Sequence, residues 1–412
     1  MTGIEKFDVV VVGAGHAGVH LASELAMHHY SGSVAVIDAE AELPYERPPL
    51  TKGFLDGSVT VQQLRFPTNF WDTPSLTAIR GETVVEIDPG RHRVATSSGS
   101  ICEYGTLVWA AGGHSRRLSI PGEDAPGVHG LRSLADAEFA KKHMSGAEQY
   151  VILGGGFIGL EAAAAMRKIG IQVTVVEFLD RLLARVTSPL VSDYFLSLHR
   201  AAGVDVRLGS RAERIEVTDG TVSGVILGDG EVLPADGVLV AVGMIPNAGP
   251  LVDAGAVCAN GVEVDEFGAT SLPDIYAVGD CASFPLVYPP FERLRLESVQ
   301  NAVDQAKNVA EQIANGTRKR YTSMPWFWSN QYETKFKMVG ICRAYDNSIV
   351  RGDVASGSFS VVYLRGNRVV AIDAINAMRD YAGGRSLVGR VVDLDAIRDP
   401  SVSLTVLAKQ SK

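Results

Sequence analysis

The residues best suited to chemistry are glycines and acids that recur in two similar stretches of the chain. Phe7 to Gly18 reads FDVVVVGAGHAG, and Gln149 to Gly159 reads QYVILGGGFIG. Each is a short apolar strand that runs into GxGxxG, followed by an alanine-rich helical segment and a second apolar strand ending in an acid, Asp38 or Glu177. The acid follows the first glycine by 25 residues in one copy and by 23 in the other.

This order of elements is what a dinucleotide-binding βαβ unit requires. Glycines in the turn let main-chain N–H groups approach a pyrophosphate at a helix N-terminus, and the acid accepts hydrogen bonds from ribose hydroxyls. A single GxGxxG is weak evidence, but two copies in register predict two bound dinucleotides; the alternative is two tight turns that bind nothing. Glu177 favours NADH because a carboxylate repels a 2′-phosphate, although Arg181 and Arg185 nearby could accept one.

Composition narrows the class of protein. A length of 412 residues suits roughly two to four domains, and 46% hydrophobic with 21% charged residues indicates a folded chain. The net charge of -9 argues against a nucleic-acid binder. No apolar run reaches the roughly 18 residues of a membrane helix and no secretory signal is visible, so we expect a cytoplasmic protein without membrane contact.

Other strand ends indicate how the chain is organised. Two apolar runs lead into glycine, TLVWAAGG (106–113) at Gly112 and GVLVAVGMIPN (237–247) at Gly243. They predict places where the chain crosses between two domains. TSLPDIYAVGDCA (270–282) predicts a buried strand ending at Asp280, which would accept from a polyol hydroxyl or, alternatively, cap a helix. Beyond residue 323 the pattern alternates like antiparallel strands and closes with a predicted helical stretch over 384–397, a smaller α+β domain.

Several motifs together resemble a known family: GAGHAG, PYERPPLTK, WAAGG, GGGFIGLE, AVGMIPN, DIYAVGDCA, ESVQNA and PWFWSNQYE. The chain resembles the FAD-dependent, NADH-using ferredoxin reductases of oxygenase systems, the putidaredoxin reductase-like family. The resemblance implies an α/β fold with two Rossmann-like dinucleotide-binding domains in a glutathione-reductase-like arrangement, plus a C-terminal α+β domain. The implied limits are 1–113 and 247–322 for FAD, 114–246 for NADH and 323–412 for the C-terminal domain.

The resemblance also assigns cofactor contacts residue by residue. FAD contacts are expected at Gly13, Ala14, Gly15, Gly18, Asp38, Arg47, Lys52, Val84, Arg132, Asp280 and Val299, and NADH contacts at Gly154, Gly156, Ile158, Gly159, Glu177 and Gly243. Ala110 and Gly112, in the strand end WAAGG, and Glu297 and Ser298, at the start of a predicted amphipathic helix that begins at Glu297, complete the expected site. The start of that helix would face the flavin N1–C2=O edge, where its dipole stabilises negative charge; alternatively it is an ordinary core helix.

Two charged residues are the predicted catalytic groups. Lys52 follows the rigid segment Arg47-Pro48-Pro49, and Glu161 lies near the start of the helix after the second glycine motif. We predict a Lys52–Glu161 ion pair beside flavin N5, against the alternative of two surface charges. Trp326 and Trp328 alternate along a predicted strand, and we expect Trp328 to contact flavin or NADH, although tryptophans are more often core residues.

The cysteines decide how electrons leave. The four cysteines are at least 23 residues apart, which excludes a CxxC redox pair and a zinc-type cluster, so no metal site is predicted. Cys281 is expected to be a small buried residue. Electrons should therefore pass singly to an external carrier, which the resemblance implies is an acidic [2Fe-2S] ferredoxin that feeds a cytochrome P450 or ring-hydroxylating oxygenase.

A basic surface would recruit an acidic carrier by charge steering. The candidate residues are Arg65, Arg293, Arg295, Lys335 and Lys337, each of which could instead be an ordinary solvated charge. Two other functions remain open. The chain could be a same-fold reductase of monodehydroascorbate, quinones or oxygen, or a redox sensor like apoptosis-inducing factor with slow turnover.

Overall fold

The computed structural model describes residues 4–66 and 75–410, with helices and strands numbered in chain order. The α-helices are α1 (His16–Met27), α2 (Val61–Leu64), α3 (Leu134–Met144), α4 (Phe157–Lys168), α5 (Pro189–Ala201), α6 (Gly249–Asp253), α7 (Val299–Asn315), α8 (Met378–Gly384), α9 (Leu394–Arg398) and α10 (Leu404–Gln410). Two 3₁₀ turns span Pro48–Thr51 and Gly279–Cys281. None of these described helices is long and apolar enough to cross a membrane.

The strands are β1 (Glu5–Val12), β2 (Val34–Asp38), β3 (Leu76–Arg80), β4 (Val84–Asp88), β5 (Arg93–Thr96), β6 (Ile101–Trp109), β7 (Gly113–Ser115), β8 (Val128–His129), β9 (Gln149–Leu153), β10 (Gln172–Val176), β11 (Asp205–Arg207), β12 (Ala212–Thr218), β13 (Thr221–Leu227), β14 (Val232–Pro234), β15 (Gly237–Val240), β16 (Met244–Pro246), β17 (Cys258–Ala259), β18 (Gly261–Glu263), β19 (Ile275–Ala277), β20 (Ala282–Pro285), β21 (Arg293–Arg295), β22 (Trp326–Gln331), β23 (Thr334–Gly340), β24 (Asn347–Asp353), β25 (Ser358–Arg365) and β26 (Arg368–Ile375).

The chain divides into two compact units. Unit 1 contains Met1–Glu46, Arg65–His114 and Pro246–Phe327, and unit 2 contains Arg47–Leu64, Ser115–Ile245 and Trp328–Lys412. The predicted three-domain limits stay a prediction, because this division does not separate the C-terminal part from the second dinucleotide motif.

Unit 1 is built on a sheet in the order β3-β2-β1-β6-β5-β4, with β19 beside β6. Strands β1, β2, β3, β6 and β19 run parallel, which is why β1 and β2 read as continuous apolar runs rather than alternating ones. Helices α1 and α7 bury small and apolar faces in the same core cluster, which includes Val11, Leu21 and Ala306. The first glycine motif joins β1 to α1 at the carboxyl edge of this sheet, as predicted.

Unit 2 repeats the arrangement with a parallel sheet in the order β11-β10-β9-β15-β8. The second glycine motif joins β9 to α4, and the alanine-rich face of α4 is buried. The antiparallel strands β12, β13 and β14 contribute Ile215 and Val225 to the same core cluster as Val151 and Val238. The predicted pair of dinucleotide-binding folds is therefore present.

The C-terminal part of unit 2 holds a sheet in the order β22-β23-β26-β25-β24, whose strands β23 to β26 are antiparallel, as predicted. The predicted helical stretch over 384–397 is wrong. Helix α8 ends at Gly384, and the chain then turns back to the hairpin between β25 and β26, where Gly389 N donates to Val369 O and Val392 N donates to Asn367 O. These backbone bonds replace helical ones, and α9 starts only after Asp393, whose side chain caps it.

Candidate active site

The first glycine motif in unit 1 leaves no room for side chains. Gly13 has a φ of +101°, and a Cβ there would lie 2.5 Å from Ala110 O. Helix α1 starts after Gly15 with no side-chain cap, so the N–H groups of its first turn are open to a ligand. At the end of β2, Asp38 Oδ1 accepts a hydrogen bond from Ala14 N at 3.3 Å. This places an acid beside an uncapped helix N-terminus, which suits a dinucleotide.

The second glycine motif, in unit 2, has the same construction. Gly154 has a φ of +115°, and a Cβ there would lie 2.4 Å from Ala241 O. Helix α4 starts after Gly156, again without a side-chain cap. At the end of β10, both carboxylate oxygens of Glu177 are bonded to the backbone. Oε2 accepts from Gly155 N at 2.7 Å, and Oε1 accepts from Leu179 N at 2.8 Å.

Arg181 is committed to the protein itself. One guanidinium nitrogen donates to Thr187 O at 2.9 Å and to Ser192 Oγ at 2.8 Å, and the other terminal nitrogen donates to Ala184 O at 2.7 Å. These bonds occupy both terminal nitrogens of the guanidinium, the groups that bind a phosphate in a bidentate manner. The argument that Arg181 could accept the 2′-phosphate of NADPH is therefore weaker once its contacts in the structure are known.

The remaining predicted FAD residues of unit 1 lie on several elements. Gly279 packs near α1, since a Cβ there would lie 3.0 Å from Ala17 Cβ, and Gly279 N donates to Gln305 Oε1 of α7 at 2.8 Å. Asp280 follows within the 3₁₀ turn and caps no helix there, so the alternative reading of it as an N-cap is wrong. The other predicted residues are Val84 at the start of β4, Ala110 and Gly112 after β6, Glu297 and the α7 cap Ser298 beside Val299, and Gly18 in α1.

Unit 2 contains the predicted ion pair. Lys52 follows the 3₁₀ turn Pro48–Thr51, whose prolines restrict the backbone, and its Nζ lies 2.6 Å from Glu161 Oε2. The Lys52 side chain is 25% exposed and the Glu161 side chain 6%, so solvent screens this pair far less than a surface pair. Its role beside a flavin stays a prediction.

Two partners of Glu161 were missed by sequence reasoning. Thr51 Oγ1 donates to Glu161 Oε2 at 2.6 Å, and Ser329 Oγ donates to Glu161 Oε1 at 2.6 Å. Both carboxylate oxygens are thus held by short hydrogen bonds. The two-residue period of β22 could have indicated Ser329, because it lies on the buried face opposite the one that carries Trp326 and Trp328.

The other predicted residues of unit 2 are placed as follows. Arg47 donates from Nη1 to Arg132 O at 2.9 Å, so these two predicted FAD contacts are neighbours. Ile158 lies with Gly159 in the first turn of α4 and keeps an exposed side chain. Gly243 has a φ of +102° and its carbonyl accepts from Arg116 N at 2.9 Å. Trp328 is half-buried on β22.

All four cysteines are free thiols. Cys281 is completely buried, as predicted, and burial raises the pKa of its thiol to about 12. Burial also raises the pKa of Cys102, Cys258 and Cys342. Because the thiolate is the reactive form, none of the four is prepared for thiol–disulfide exchange.

Two of the proposed basic surface residues bond main-chain carbonyl groups of unit 1. Arg295 is 9% exposed, pairs with Glu297 at 2.9 Å and donates to Asp280 O at 2.9 Å. Arg293 donates to Val264 O and Ser283 O at 2.8 and 2.6 Å. The expectation that Arg295 offers surface charge is wrong, because its side chain is nearly buried and its guanidinium is bonded to Asp280 O and Glu297.

Comparison with known proteins identifies the family of the chain. The model of the family described as pyridine nucleotide-disulphide oxidoreductase matches residues 7–306, and the reductase C-terminal family matches residues 326–408. The chain belongs to the pyridine nucleotide-disulphide oxidoreductase family. Membership makes it an oxidoreductase with FAD and a nicotinamide dinucleotide as cofactors, and the two glycine motifs with their uncapped helices and acids fit those groups.

Individual relatives of this oxidoreductase cover nearly the whole chain. It is 46% identical over 405 residues to the 5,5′-dehydrodivanillate O-demethylase ferredoxin reductase subunit of Sphingobium sp., covering 97% of this chain and 98% of that one. The ferredoxin reductase of the CYP199A2 system from Rhodopseudomonas palustris matches with a TM-score of 0.93 at 39% identity, covering 97% and 100%. The reductase in a covalent putidaredoxin reductase–putidaredoxin complex matches with a TM-score of 0.94 at 36% identity, covering 99% of each chain. The resemblance to ferredoxin reductases is confirmed.

Proposed function

We propose that this chain is an NADH-dependent ferredoxin reductase that passes electrons through FAD to a [2Fe-2S] ferredoxin, which feeds a cytochrome P450 or another oxygenase. The observation that carries the proposal is the contrast between a partly buried Lys52–Glu161 pair and four free thiols of raised pKa. When bound, FAD accepts a hydride from NADH and gives up the two electrons one at a time. Without a reactive dithiol, an external carrier is the natural acceptor. The relatives named for ferredoxin and putidaredoxin support the same carrier class.

The chain's residues divide this work by region. Residues 1–113 and 247–322 hold FAD, residues 114–246 hold NADH, and residues 323–412 form the C-terminal α+β domain. Uncapped N–H groups at the start of α1 and α4 bind the two pyrophosphates, while Asp38 and Glu177 accept from ribose hydroxyls. Lys52, oriented by Glu161, positions the flavin ring and offsets negative charge that develops on reduction.

We propose NADH rather than NADPH as the reductant. The Glu177 carboxylate is fixed by two backbone N–H groups, and Arg181 is occupied by three protein acceptors. In a Glu177→Gln variant, the ratio of kcat/KM for NADH to kcat/KM for NADPH should fall by about tenfold, because the substitution removes the charge that repels a 2′-phosphate. Arg181→Met, the control, should lower stability and leave that ratio within about twofold. An unchanged ratio in Glu177→Gln would contradict the assignment.

The test of the function is NADH oxidation by purified, FAD-loaded protein with and without a [2Fe-2S] ferredoxin. We expect slow oxidation alone and at least about tenfold faster oxidation with ferredoxin, measured as reduction of cytochrome c through it. Fast turnover with monodehydroascorbate, a quinone or oxygen, and no response to ferredoxin, would instead support a small-molecule reductase. Slow turnover with every acceptor would support a redox sensor.

Recruitment of an acidic ferredoxin by charge is part of the proposal. Arg295 is 9% exposed and donates to Asp280 O, so the remaining candidates are Arg65, Arg293, Lys335 and Lys337. Steering by exposed charges weakens as salt is added. The ferredoxin-dependent rate should fall as ionic strength rises, and a rate independent of salt would rule out this mode of recruitment.

The cytoplasm is the location we propose. Four free thiols are typical of a reducing compartment, where disulfides rarely persist. Fractionation of cells that produce the protein should place the NADH-oxidising activity in the cytosolic fraction, and its recovery from the periplasm would contradict this.

A further inference from the structure

A row of buried polar side chains runs away from Glu161 within unit 2. Ser329 and Gln331 occupy alternate positions on β22 and are buried, which places both on one face of the strand. His199, in the last turn of α5, is also buried. Buried polar groups cost free energy unless they are bonded, so their partners define what they do.

The hydrogen bonds join these residues end to end. Ser329 Oγ lies 2.6 Å from Glu161 Oε1, and Gln331 Nε2 lies 3.1 Å from Ser329 Oγ. His199 Nε2 lies 2.8 Å from Gln331 Oε1, and Tyr332 OH lies 3.2 Å from His199 Nδ1. We call Ser329, Gln331 and His199 the Glu161 relay.

The direction of every bond in the relay follows from what each atom can do. A carboxylate only accepts, so the Ser329 proton points to Glu161 and Ser329 Oγ accepts from the Gln331 amide N–H. Gln331 Oε1 then accepts, which requires the proton of His199 on Nε2 and leaves Nδ1 to accept from Tyr332. All donors therefore point toward Glu161, and such a chain polarises in one direction.

The state of His199 agrees with this direction. Burial lowers the pKa of His199, with the bond to Gln331 as the smaller, opposing effect. A neutral imidazole with one donor and one acceptor is the form that the relay needs.

We propose that the Glu161 relay is a set of positioning residues that fixes the carboxylate of Glu161 and, through it, the Lys52 ammonium. The inference rests on the proposed function, because Lys52 and Glu161 act there on bound FAD. Ser329 holds Oε1 while Lys52 and Thr51 hold Oε2, so the carboxylate cannot rotate without breaking a short bond. Ser329, Gln331 and His199 thus act on the reaction through Glu161 and are not themselves catalytic.

Ser329→Ala tests the proposal in the FAD-loaded protein. We expect hydride transfer at saturating NADH to slow by about tenfold, with the apparent Kd for NADH unchanged, because the relay affects positioning and not nucleotide binding. Spectroelectrochemical titration should show a more negative FAD midpoint potential, since a carboxylate that has lost a donor keeps more of its charge. Ser329→Thr restores the hydroxyl and should recover both values to within about twofold of wild type.

A second serine provides a matched control. Ser360 is also buried on the C-terminal sheet, and its hydroxyl donates at 2.6 Å to Asp380, which pairs with Arg351 at 3.0 Å. Ser360→Ala removes the same kind of bond far along the chain from the proposed site and should leave rate and potential unchanged. If Ser329→Ala loses FAD, Gln331→Met is measured in its place; it removes the donor to Ser329 and the acceptor of His199 but keeps the Ser329–Glu161 bond.

The outcomes separate this inference from the function on which it rests. Wild-type protein that NADH does not reduce would contradict the proposed function. Reducible wild type, with a wild-type rate and potential in Ser329→Ala, would overturn the relay alone. Equal losses in Ser329→Ala and Ser360→Ala would also overturn it, because they would indicate a general effect of removing a buried hydroxyl.

Discussion

Two buried carboxylates in unit 2 have opposite environments. Glu161 is bonded at both oxygens and pairs with Lys52. Asp373, on β26, is fully buried; its Oδ2 accepts from Thr187 and Tyr363, while its Oδ1 has no hydrogen-bond partner in the described structure. Burial raises the pKa of Asp373 to about 7.

The difference shows what burial requires of an acid. Removing a carboxylate from water costs several kcal/mol, and the group either finds a cation or takes up a proton. Glu161 accepts three short hydrogen bonds, one of them from the Lys52 ammonium, so it can exert a fixed charge on its surroundings. Asp373 has hydroxyl donors only, and the protonated carboxyl is the better buried form. We therefore assign function to Glu161 and a structural role to Asp373.

The largest expected effect comes from taking away the cation. Lys52→Met leaves Glu161 buried without its charge partner, and we expect about 10- to 100-fold slower reduction of FAD by NADH and a loss of about 2–3 kcal/mol in stability. Stopped-flow absorbance and urea unfolding measure the two effects.

Lys168→Met is the control for that experiment. Lys168 pairs with Asp56 at 2.7 Å, but its side chain is 65% exposed. Exposed pairs contribute little, so the change in stability should stay below about 1 kcal/mol and FAD reduction should be normal. Near-normal hydride transfer in Lys52→Met would contradict the assignment of Lys52.

Replacing each acid by its neutral amide should change the stability in opposite directions. The folded pKa of Asp373 lies above the unfolded value of 3.8, so the folded state binds the extra proton and stability falls as pH rises from about 4 to about 7. Asp373→Asn cannot ionise, and its stability relative to wild type should increase between pH 5 and pH 8 by at least about 1 kcal/mol.

Glu161→Gln completes this comparison. It removes the partner of Lys52 and should lose stability relative to wild type at both pH values, measured by urea unfolding. A stability difference between Asp373→Asn and wild type that is independent of pH would mean that Asp373 is not the neutral acid described above.

The smallest effect sharpens the comparison at acid pH. The folded pKa of His199 lies below its usual 6.5, so stability is full above about 6.5 and is lost as pH falls further. In His199→Gln the thermal unfolding midpoint should fall less steeply below pH 6.5 than in wild type. The difference between the two unfolding midpoints at pH 8 measures the lost contacts alone. If both midpoints fall equally steeply below pH 6.5, His199 does not contribute to the loss of stability in acid.

Local patterns predicted much of this molecule. The two glycine motifs and their acids lie within one βαβ unit each, so their geometry follows from spacing. The Lys52–Glu161 pair was also predicted, from the two motifs that contain it. What escaped prediction depends on long-range pairing. Ser329 reaches Glu161 across 168 residues of chain, and residues 389–392 bond to a hairpin where a helix was predicted.

The hydrogen bonds of the arginine side chains could not be predicted from the sequence either. Arg293 and Arg295 were predicted to attract an acidic partner, yet they bond the carbonyls of Val264, Ser283 and Asp280, which lie 29, 10 and 15 residues away along the chain. Which carbonyls remain unpaired is a property of the folded chain and not of any short pattern.

The most direct test of the account is anaerobic stopped-flow mixing of the yellow protein first with NADH and then with oxidised [2Fe-2S] ferredoxin. One equivalent of NADH should bleach the flavin absorption, and about two equivalents of ferredoxin should be reduced as that absorption returns. A flavin that NADH leaves unbleached, or a bleached flavin that ferredoxin cannot reoxidise, would contradict the claim that this chain carries electrons from NADH to a ferredoxin.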